Sequence, residues 1–305
     1  MRVAMLDIGT NTLLMLVADI TNAELRMVAD EHRIARLGEG LDQTGIISDA
    51  ALERASQIVS EYRMMAEMFC VQQRGAVGTS ALRRASNASV VAEKLAEIWG
   101  APIEIISGDL EAELIYNGTV PFGHRAAVLD IGGGSTELVV GNGDRVEFRV
   151  SLEIGALRIA ERFWNTYPIP AANLKLASQF VREQITESLP ALDVGQLFGV
   201  AGTPTTLACI AAGLDRFDPS AIEGYKIRKS VIEELCEELT RCSVDQLRSI
   251  PAVHPQRANI LPAGCLILAV FLDVLNHDVV IVSTRGLRFG AAYRLYRQVL
   301  DLQRN

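Results

Sequence analysis

One segment of this sequence combines the residue types that bind a phosphate and a divalent cation. It reads Asp-Ile-Gly-Gly-Gly-Ser-Thr-Glu, runs from Asp130 to Glu137, and lies between two apolar runs. Successive glycines leave backbone N–H groups open to a ligand, and the hydroxyl side chains add further donors. The candidate donors to phosphate are Gly133, Gly134, Ser135 and Thr136. The carboxylates at the two ends suit a divalent cation or a water molecule, which a plain hairpin turn would not need.

The same pattern occurs near the N-terminus, 123 residues earlier. There the sequence reads Asp-Ile-Gly-Thr-Asn-Thr from Asp7 to Thr12, again between apolar runs. Asp7 corresponds to Asp130, and Asn11 and Thr12 supply an amide and a hydroxyl in the turn. A repeat of this kind predicts two similar half-molecules, each with a strand, a turn and a second strand. A phosphate chain would then be held in a cleft between two related domains.

Composition limits the classes of protein to consider. A chain of 305 residues that is 49% hydrophobic can form about two domains with buried cores. A net charge of −8 argues against DNA or RNA binding, so any phosphate chain must be bound by local arginines, backbone N–H groups and a metal ion. The five cysteines form no CxxC pair, which is typical of a reduced, cytoplasmic protein. The longest apolar stretch is interrupted by Pro262 and Asp273 and is too short for a membrane span.

Strand and helix patterns alternate along the chain and predict an α/β protein. A hairpin over residues 2–20 and a strand over 24–36 precede a helix that Ser48 caps. We expect domains over residues 1–122 and 123–289, with a C-terminal helix over about 290–305 that packs back on the first domain. A buried helix is expected from Gln256 to Leu275.

Arg83 is a candidate phosphate ligand. The predicted strand over residues 74–80 runs into a helix that Thr79 or Ser80 can cap, which places Arg83 in the first helical turn. A helix N-terminus combined with a guanidinium group binds oxyanions well. A pair of solvated surface arginines, Arg83 and Arg84, is the alternative interpretation.

Glu111 is a candidate general base at the start of the helix that follows Gly108. Glu111 and Glu113 lie about 200° apart around a helix, so at most one of them faces a given cleft. A glutamate that only complements the helix dipole in the first turn is the alternative. The residues alone leave both interpretations open.

A third glycine turn, with Gly202 and Thr203, leads from a strand into a helix. It could bind a nucleoside or a phosphate, or it could be a plain connection between strand and helix. The sequence has no Cys–His or Ser–His arrangement typical of a nucleophilic enzyme, so the expected chemistry is direct attack of water on phosphorus.

Taken together, these motifs resemble the exopolyphosphatase / guanosine pentaphosphate phosphohydrolase family over nearly the whole chain. The resemblance rests on the segments Asp7–Thr12, Arg36–Gly40, Gly78–Ala85 with Asn87, Ile106–Gly108 with Glu111–Ala112, Asp130–Glu137, Ala201–Thr203 with Thr205–Leu207, Arg257–Ala258 and Ser283–Gly290. It implies two ribonuclease H-like domains of the kind found in actin, sugar kinases and heat-shock chaperone ATPases. The chain is most similar to the short, two-domain members of the family.

The resemblance also implies a role for each site residue. Glu111 would activate the attacking water, and Asp7, Asp130 and Glu137 would bind Mg²⁺ or position the water. Phosphate would be bound by the other candidates, which are Asn11, Thr12, Arg83, Gly133, Gly134, Ser135 and Thr136. The implied substrate is inorganic polyphosphate or guanosine pentaphosphate, and the implied assembly is a homodimer that binds neither DNA nor a membrane.

Three departures from the family pattern and two rival functions remain. Thr10 and Thr12 stand where serines are common, Pro204 removes one N–H donor, and Gln256 and Asn259 replace acids that are common beside the arginine. One rival function is a phosphotransferase of the same fold, but a kinase would show no dedicated water-activating glutamate. The other rival is an inactive nucleotide-binding regulator, against which the retention of four carboxylates, Asp7, Glu111, Asp130 and Glu137, argues.

Overall fold

The computed structural model describes residues 1–21, 24–120, 125–143, 145–164 and 166–304. Within these residues the strands are β1 (Arg2–Ile8), β2 (Thr12–Thr21), β3 (Glu24–Ile34), β4 (Gln73–Gly78), β5 (Ile103–Ile105), β6 (Arg125–Ile131), β7 (Thr136–Asn142), β8 (Arg145–Leu152), β9 (Gln196–Val200), β10 (Lys226–Arg228) and β11 (Val279–Val282). The helices in the same part of the chain are α1 (Leu41–Thr44), α2 (Asp49–Met68), α3 (Ser80–Arg84), α4 (Ala88–Trp99), α5 (Gly108–Thr119), α6 (Ala156–Phe163), α7 (Ala171–Ser188), α8 (Gly202–Ala211), α9 (Pro219–Ile222), α10 (Lys229–Arg241), α11 (Val244–Ser249), α12 (Leu261–Val274) and α13 (Leu287–Arg304).

The chain divides into two compact units. Unit 1 comprises residues 1–118 and 286–305, and unit 2 comprises residues 119–285. The C-terminal helix α13 thus belongs to unit 1. The boundary expected between residues 122 and 123 falls in the segment 121–124, which lies outside the described residues.

Unit 1 is built on a five-stranded sheet in the order β3-β2-β1-β4-β5. The first three strands form an antiparallel meander, and β4 and β5 run parallel to β1. Strand β1 is central, and its residues Val3, Ala4 and Leu6 are completely buried. A central strand covered on both faces is an apolar run without alternation, which is the pattern seen in the sequence.

Unit 2 repeats this topology. Its sheet has the order β10-β11-β9-β6-β7-β8, in which β6, β7 and β8 form the antiparallel meander and β9 and β11 run parallel to β6. The order β3-β2-β1-β4-β5 of unit 1 therefore recurs as β8-β7-β6-β9-β11. The predicted α/β class with two related ribonuclease H-like units is confirmed. The short antiparallel strand β10 at the edge was not predicted.

Local sequence signals account for some of the helix ends. The Ser48 hydroxyl accepts a hydrogen bond from the Ala51 N–H at 3.3 Å, which confirms the predicted cap of α2. The expected start of the buried helix at Gln256 was wrong, because α12 begins at Leu261. Pro262 explains the difference, since proline has no N–H and fits only the first helical turn. No helix in the described part of the chain is long and apolar enough to cross a bilayer.

Candidate active site

The glycine turn (residues 132–135) connects β6 to β7 and is flanked by two carboxylates. Asp130 and Glu137 are direct partners in the antiparallel register, so their side chains project from the same face of the sheet. Glu137 is almost completely buried, and its Oε1 accepts a hydrogen bond from the Ser151 hydroxyl at 2.7 Å. Asp130 is half-buried. The register thus places together the two acids that the sequence separates by seven positions.

Helix α6 fixes the orientation of the glycine turn. The N–H groups of Ala156 and Leu157 each donate at 2.9 Å, to the carbonyl oxygens of Gly132 and Gly133 respectively. These are N–H groups that have no partner inside a helix, and here the carbonyls of the turn satisfy them. The N–H groups of Gly133, Gly134 and Ser135 donate no hydrogen bond to any described residue. The turn therefore directs its carbonyls to α6, and its N–H groups have no protein partner among the described residues.

Gly155 makes this arrangement possible, and the sequence analysis did not identify it. A Cβ atom on Gly155 would lie 2.3 Å from the Gly133 carbonyl oxygen and 2.5 Å from the Gly134 carbonyl carbon. The only signal in the sequence was a glycine at the junction between a strand and a helix. Glycine is required here for the close approach of two backbone segments.

Thr136 has a different environment from the one expected of a phosphate ligand. It is completely buried, and its hydroxyl donates a hydrogen bond to the Ile154 carbonyl oxygen. Its proton is therefore not available to a phosphate oxygen. The structure corrects the predicted phosphate contact to a supporting role, in which Thr136 joins the turn to the segment before α6.

The N-terminal turn (residues 9–11) connects β1 to β2 in unit 1. Asp7, at the end of β1, is 7% exposed, and its antiparallel partner is Leu14. The Asn11 carbonyl oxygen accepts hydrogen bonds from the N–H groups of Ala35 and Arg36 at 3.0 and 2.9 Å. The segment after β3 thus supports this turn, as the segment after β8 supports the glycine turn.

Asn11 has a side-chain atom suited to a ligand. Its Oδ1 is buried and has no hydrogen-bond partner among the described residues, and its Nδ2 lies 3.4 Å from the Thr12 Oγ1. A buried polar atom without a partner is costly, and a bound group or a water molecule would remove that cost. Rotation of the amide by 180° would present its NH₂ group to a phosphate instead.

Arg83 and Glu111 form an ion pair inside unit 1. Arg83 Nη1 donates to Glu111 Oε2 and, at 3.2 Å, to the Ile106 carbonyl oxygen. Only 17% of the Arg83 side chain and 8% of the Glu111 side chain is exposed. The interpretation of Arg83 as a solvated surface arginine was therefore wrong, and Glu113, two positions further along the helix, is the exposed glutamate.

One end of the guanidinium group makes no hydrogen bond to the described residues. Arg83 Nη2 is buried and has no hydrogen-bond partner among the described residues. The ion pair holds the guanidinium plane in place, so that Nη2 is a fixed donor. This is the form in which an arginine binds a phosphate oxygen with little loss of entropy.

The sheet explains why Arg83 and Glu111 meet, and it places Asp7 at the same edge. Strands β1, β4 and β5 are parallel, and Asp7, Arg83 and Glu111 belong to β1 or to the helices after β4 and β5. The carboxyl ends of parallel strands meet at one edge of a sheet, where α/β proteins bind their ligands. Thr79, a predicted helix cap, does not cap α3, and its N–H donates to the Ile8 carbonyl oxygen at 3.2 Å. That bond joins the end of β4 to the end of β1.

Gly202 and Thr203 make close contacts within unit 2. A Cβ on Gly202 would lie 1.9 Å from Arg257 Nη1, and the buried Thr203 packs against Gly264. Pro204 lies in the first turn of α8, where a missing N–H breaks no intrahelical bond. These contacts show how α8 packs within unit 2, and the nucleoside or phosphate site stays a prediction.

The carboxylates fit a magnesium ion that binds together with phosphate. Among the described residues, no group of three or more His, Cys, Asp or Glu side chains is arranged to hold a metal ion. Mg²⁺ in proteins is commonly held by one or two carboxylates, with substrate phosphates and water as its other ligands. The Asp130–Glu137 pair matches that requirement, whereas it would not suit a structural metal site enclosed by protein ligands alone.

The comparisons with known proteins agree on one family. Residues 16–299 match the Ppx/GppA phosphatase family. The chain is 32% identical to exopolyphosphatase 2 of Mycobacterium tuberculosis, over 96% of this chain and 98% of that protein. It is 29% identical to the guanosine-5'-triphosphate,3'-diphosphate pyrophosphatase of Vibrio vulnificus, over 97% of this chain but only 59% of that protein.

A solved structure is similar over the same extent. The crystal structure of an exopolyphosphatase from Cytophaga hutchinsonii superposes with a TM-score of 0.88 at 27% identity, covering 96% of this chain and 97% of that one. The repeated sheet topology, the carboxylate pair at the glycine turn and the family match along nearly the whole sequence agree with one another. The chain belongs to the Ppx/GppA phosphatase family.

Proposed function

We propose that this chain hydrolyses the terminal phosphoanhydride bond of inorganic polyphosphate and releases orthophosphate in a Mg²⁺-dependent reaction. The observation that carries the proposal is the buried Arg83–Glu111 pair at the ligand-binding edge of the unit 1 sheet, in a member of a phosphatase family. Polyphosphate is preferred as substrate because the similarity to exopolyphosphatase 2 covers 98% of that protein. Guanosine pentaphosphate is the second candidate, because of the similarity to the Vibrio vulnificus pyrophosphatase.

Glu111 is the proposed general base. The carboxylate takes a proton from water as the water oxygen forms its bond to the terminal phosphorus, and the bond from that phosphorus to the bridging oxygen breaks. The products are orthophosphate and a chain shorter by one phosphate. Arg83 holds the Glu111 carboxylate in one position, which is required for a base that must meet a single water molecule.

Backbone and side-chain donors are proposed to bind the phosphates. Arg83 Nη2 and the N–H groups of Gly133, Gly134 and Ser135 have no partner among the described residues and are suited to phosphate oxygens. Donors that are already oriented stabilise charge on the transferred phosphoryl group without reorganisation. Asn11 and Thr12 are the proposed donors from the N-terminal turn.

Asp130 and Glu137 are the proposed ligands of Mg²⁺, and Asp7 is the further ligand that the family resemblance implies. When bound, the ion neutralises phosphate charge and orients the phosphoanhydride. The hydrogen bond from the Ser151 hydroxyl keeps the Glu137 carboxylate in one orientation, as the outer partners of metal ligands generally do.

Phosphate release from three substrates tests the proposal. Polyphosphate, guanosine pentaphosphate and ATP are each incubated with the purified chain and Mg²⁺, and with excess EDTA as a control. We expect the highest kcat/KM with polyphosphate and loss of release in EDTA. The Glu111→Gln variant, purified in the same way, shows whether the activity belongs to this chain.

Each other outcome has a definite meaning. A higher kcat/KM with guanosine pentaphosphate would select the second candidate. Transfer of phosphate from ATP to a small acceptor, without release from the other substrates, would identify a kinase. Full activity in EDTA would contradict the role of Asp130 and Glu137 as metal ligands.

We also propose that the protein works in the cytoplasm as a homodimer. Its cysteines in the described residues are free thiols, of which Cys209, Cys236 and Cys265 are buried. Free thiols are the expected state in a reducing compartment. Light scattering after size-exclusion chromatography would test the dimer, and a single peak at the mass of one chain would contradict it.

A further inference from the structure

A buried charge pair joins the last helix to the sheet of unit 1. Arg288, in the first turn of α13, donates from Nε to Asp30 Oδ1 at 2.6 Å and from Nη2 to Asp30 Oδ2 at 2.5 Å. The side chains of Arg288 and Asp30 are 4% and 10% exposed. Asp30 lies on β3, and His32 Nε2 is 3.4 Å from its Oδ2. This two-point contact fixes the position and the direction of the start of α13.

Buried charge pairs contribute little net stability, because removing both charges from water costs about as much as their attraction returns. Their better-supported use is to specify one arrangement among several. A pair of this kind at the start of a helix suggests that the exact position of that helix matters. The helix that α13 contacts therefore shows what this position could affect.

Helix α13 touches the helix that carries Glu111. A Cβ on Gly290 would lie 1.9 Å from the Leu114 carbonyl oxygen, and a Cβ on Gly118 would lie 2.2 Å from the Gly286 carbonyl oxygen. The start of α13 is thus in backbone contact with α5 at two points, both made possible by glycine. No flexible side chain separates the two helices at these points, so a shift of α13 would be transmitted to α5.

Leu114 lies one helical turn after Glu111. A shift of α5 would therefore move the Glu111 carboxylate relative to Arg83 and to the end of β4. A displacement of about 1 Å at a reacting group is enough to reduce a rate by about 100-fold.

We propose that the Asp30–Arg288 pair is a positioning device for Glu111, acting through α13 and α5. The pair sets where α13 lies on the sheet, and the contacts at Gly118 and Gly290 transmit that position to the helix of the general base. The inference rests on the proposed function of Glu111. It assigns no direct contact with substrate to Arg288 or Asp30.

A double-mutant cycle tests the inference. Arg288→Lys and Asp30→Asn are each made in the wild type and in the Glu111→Gln variant, and kcat and KM are measured with polyphosphate. In the wild-type background we expect kcat to fall at least tenfold while KM changes less than twofold. In the Glu111→Gln background we expect no further fall, because the group being positioned has already lost its function.

A second ion pair on the same helix provides a matched control. Arg294 Nη2 lies 2.9 Å from Glu104 Oε1 in a partly exposed position on α13. Arg294→Lys should leave kcat and KM unchanged. Asp30→Asn keeps the shape and one acceptor oxygen of Asp30, so it carries the test if Arg288→Lys does not fold. Melting temperatures identify which variants are folded.

A fall in kcat of equal size in both backgrounds would overturn the inference, since it would show a general structural effect. An unchanged kcat in the folded Arg288→Lys and Asp30→Asn variants would overturn it as well. Failure of the proposed function has a different signature, which is a Glu111→Gln variant as active as the wild type. That result would contradict the base assignment, and the positioning role with it.

Discussion

The N-terminal turn and the glycine turn occupy equivalent places in two units of the same topology, but they offer different chemistry. Asp130 has a carboxylate, Glu137, as its antiparallel partner, whereas the partner of Asp7 is the apolar Leu14. Unit 2 therefore has the carboxylate pair that suits a cation. Unit 1 has instead the Arg83–Glu111 pair after its neighbouring parallel strands. Under the proposed function, unit 2 supplies the two main metal ligands and unit 1 supplies the general base.

The segments that support the two turns differ as well. The first N–H groups of α6 bind the carbonyls of the glycine turn, and Gly155 there touches the backbone of the turn itself. In unit 1 an irregular segment supports the turn, and its Gly38 lies against the side chain of Thr10. Backbone cannot move aside as a side chain can. The glycine turn is therefore the more tightly constrained of the two.

The largest expected effect tests the role of unit 1. Glu111→Gln keeps the shape of the side chain but cannot accept a proton, so we expect kcat to fall by about 10²–10⁴. KM for polyphosphate should change little. The exposed Glu113 on the same helix gives the control, and Glu113→Gln should behave as wild type. An inactive Glu113→Gln variant beside an active Glu111→Gln variant would show that Glu113, and not Glu111, is the base.

The second effect compares the supports of the two turns. Gly155→Ala forces a methyl group against the Gly133 backbone, so we expect kcat/KM to fall by about 100-fold and the free energy of unfolding by about 1–3 kcal/mol. Gly38→Ala should cost less of both, because the methyl group meets the terminal methyl of the Thr10 side chain and not the backbone. Phosphate release and urea unfolding measure the two quantities. Equal losses of kcat/KM and of unfolding free energy in the two variants would show that the two turns are equally constrained by the segments that support them.

The third effect concerns the cation. Glu137→Gln should raise the Mg²⁺ concentration for half-maximal activity by about tenfold or more, since it removes one charge of the carboxylate pair. Asp7→Asn should raise it less, because Asp7 has Leu14 opposite it. A magnesium titration of phosphate release measures both shifts. A larger shift for Asp7→Asn would place the main metal ligand in unit 1.

The smallest effect is on stability in acid, and it should be larger in unit 1 than in unit 2. Burial alone would raise the pKa of Asp30, but Arg288 and His32 outweigh it and lower the pKa to about 2. A lowered pKa gives stability that is present above about pH 4 and is lost as the pH falls towards 2. The loss should be on the order of 2 kcal/mol.

Hydrogen exchange between pH 4 and pH 2 would measure that loss separately in the two units. Asp30→Asn should reduce the pH dependence of unit 1, and the more exposed Asp19, whose pKa Arg2 and Arg26 lower to about 2, should account for part of the remainder. The exposed Asp273 of unit 2, which Lys229 and Arg182 contact, should contribute less because solvent screens it. Earlier loss of protection in unit 2 would contradict this expectation.

The sequence by itself was sufficient for most of the elements and for the family. Alternating strand and helix patterns, the capping residue Ser48 and the repeated Asp-Ile-Gly motif depend on neighbours within a few residues, so they can be read directly. The relation of Asp130 to Glu137 was also within reach, because a hairpin with a short turn fixes which residues face each other.

Only the tertiary structure decided which candidate side chains are buried against a partner, and which already donate their hydrogen bond within the protein. Glu111 and Glu113 look alike in sequence, and burial against Arg83 distinguishes them. Thr136 looks like a phosphate ligand until its hydroxyl is found bonded to Ile154.

The contacts that support the site were the least predictable. Gly155 lies against Gly133, and Arg288 reaches Asp30 across 258 positions of the sequence. Such contacts are set by the packing of whole elements, which no local pattern encodes. The sequence therefore determined which residues could do chemistry, and the fold decided where each one is held and which of them remain available to a ligand.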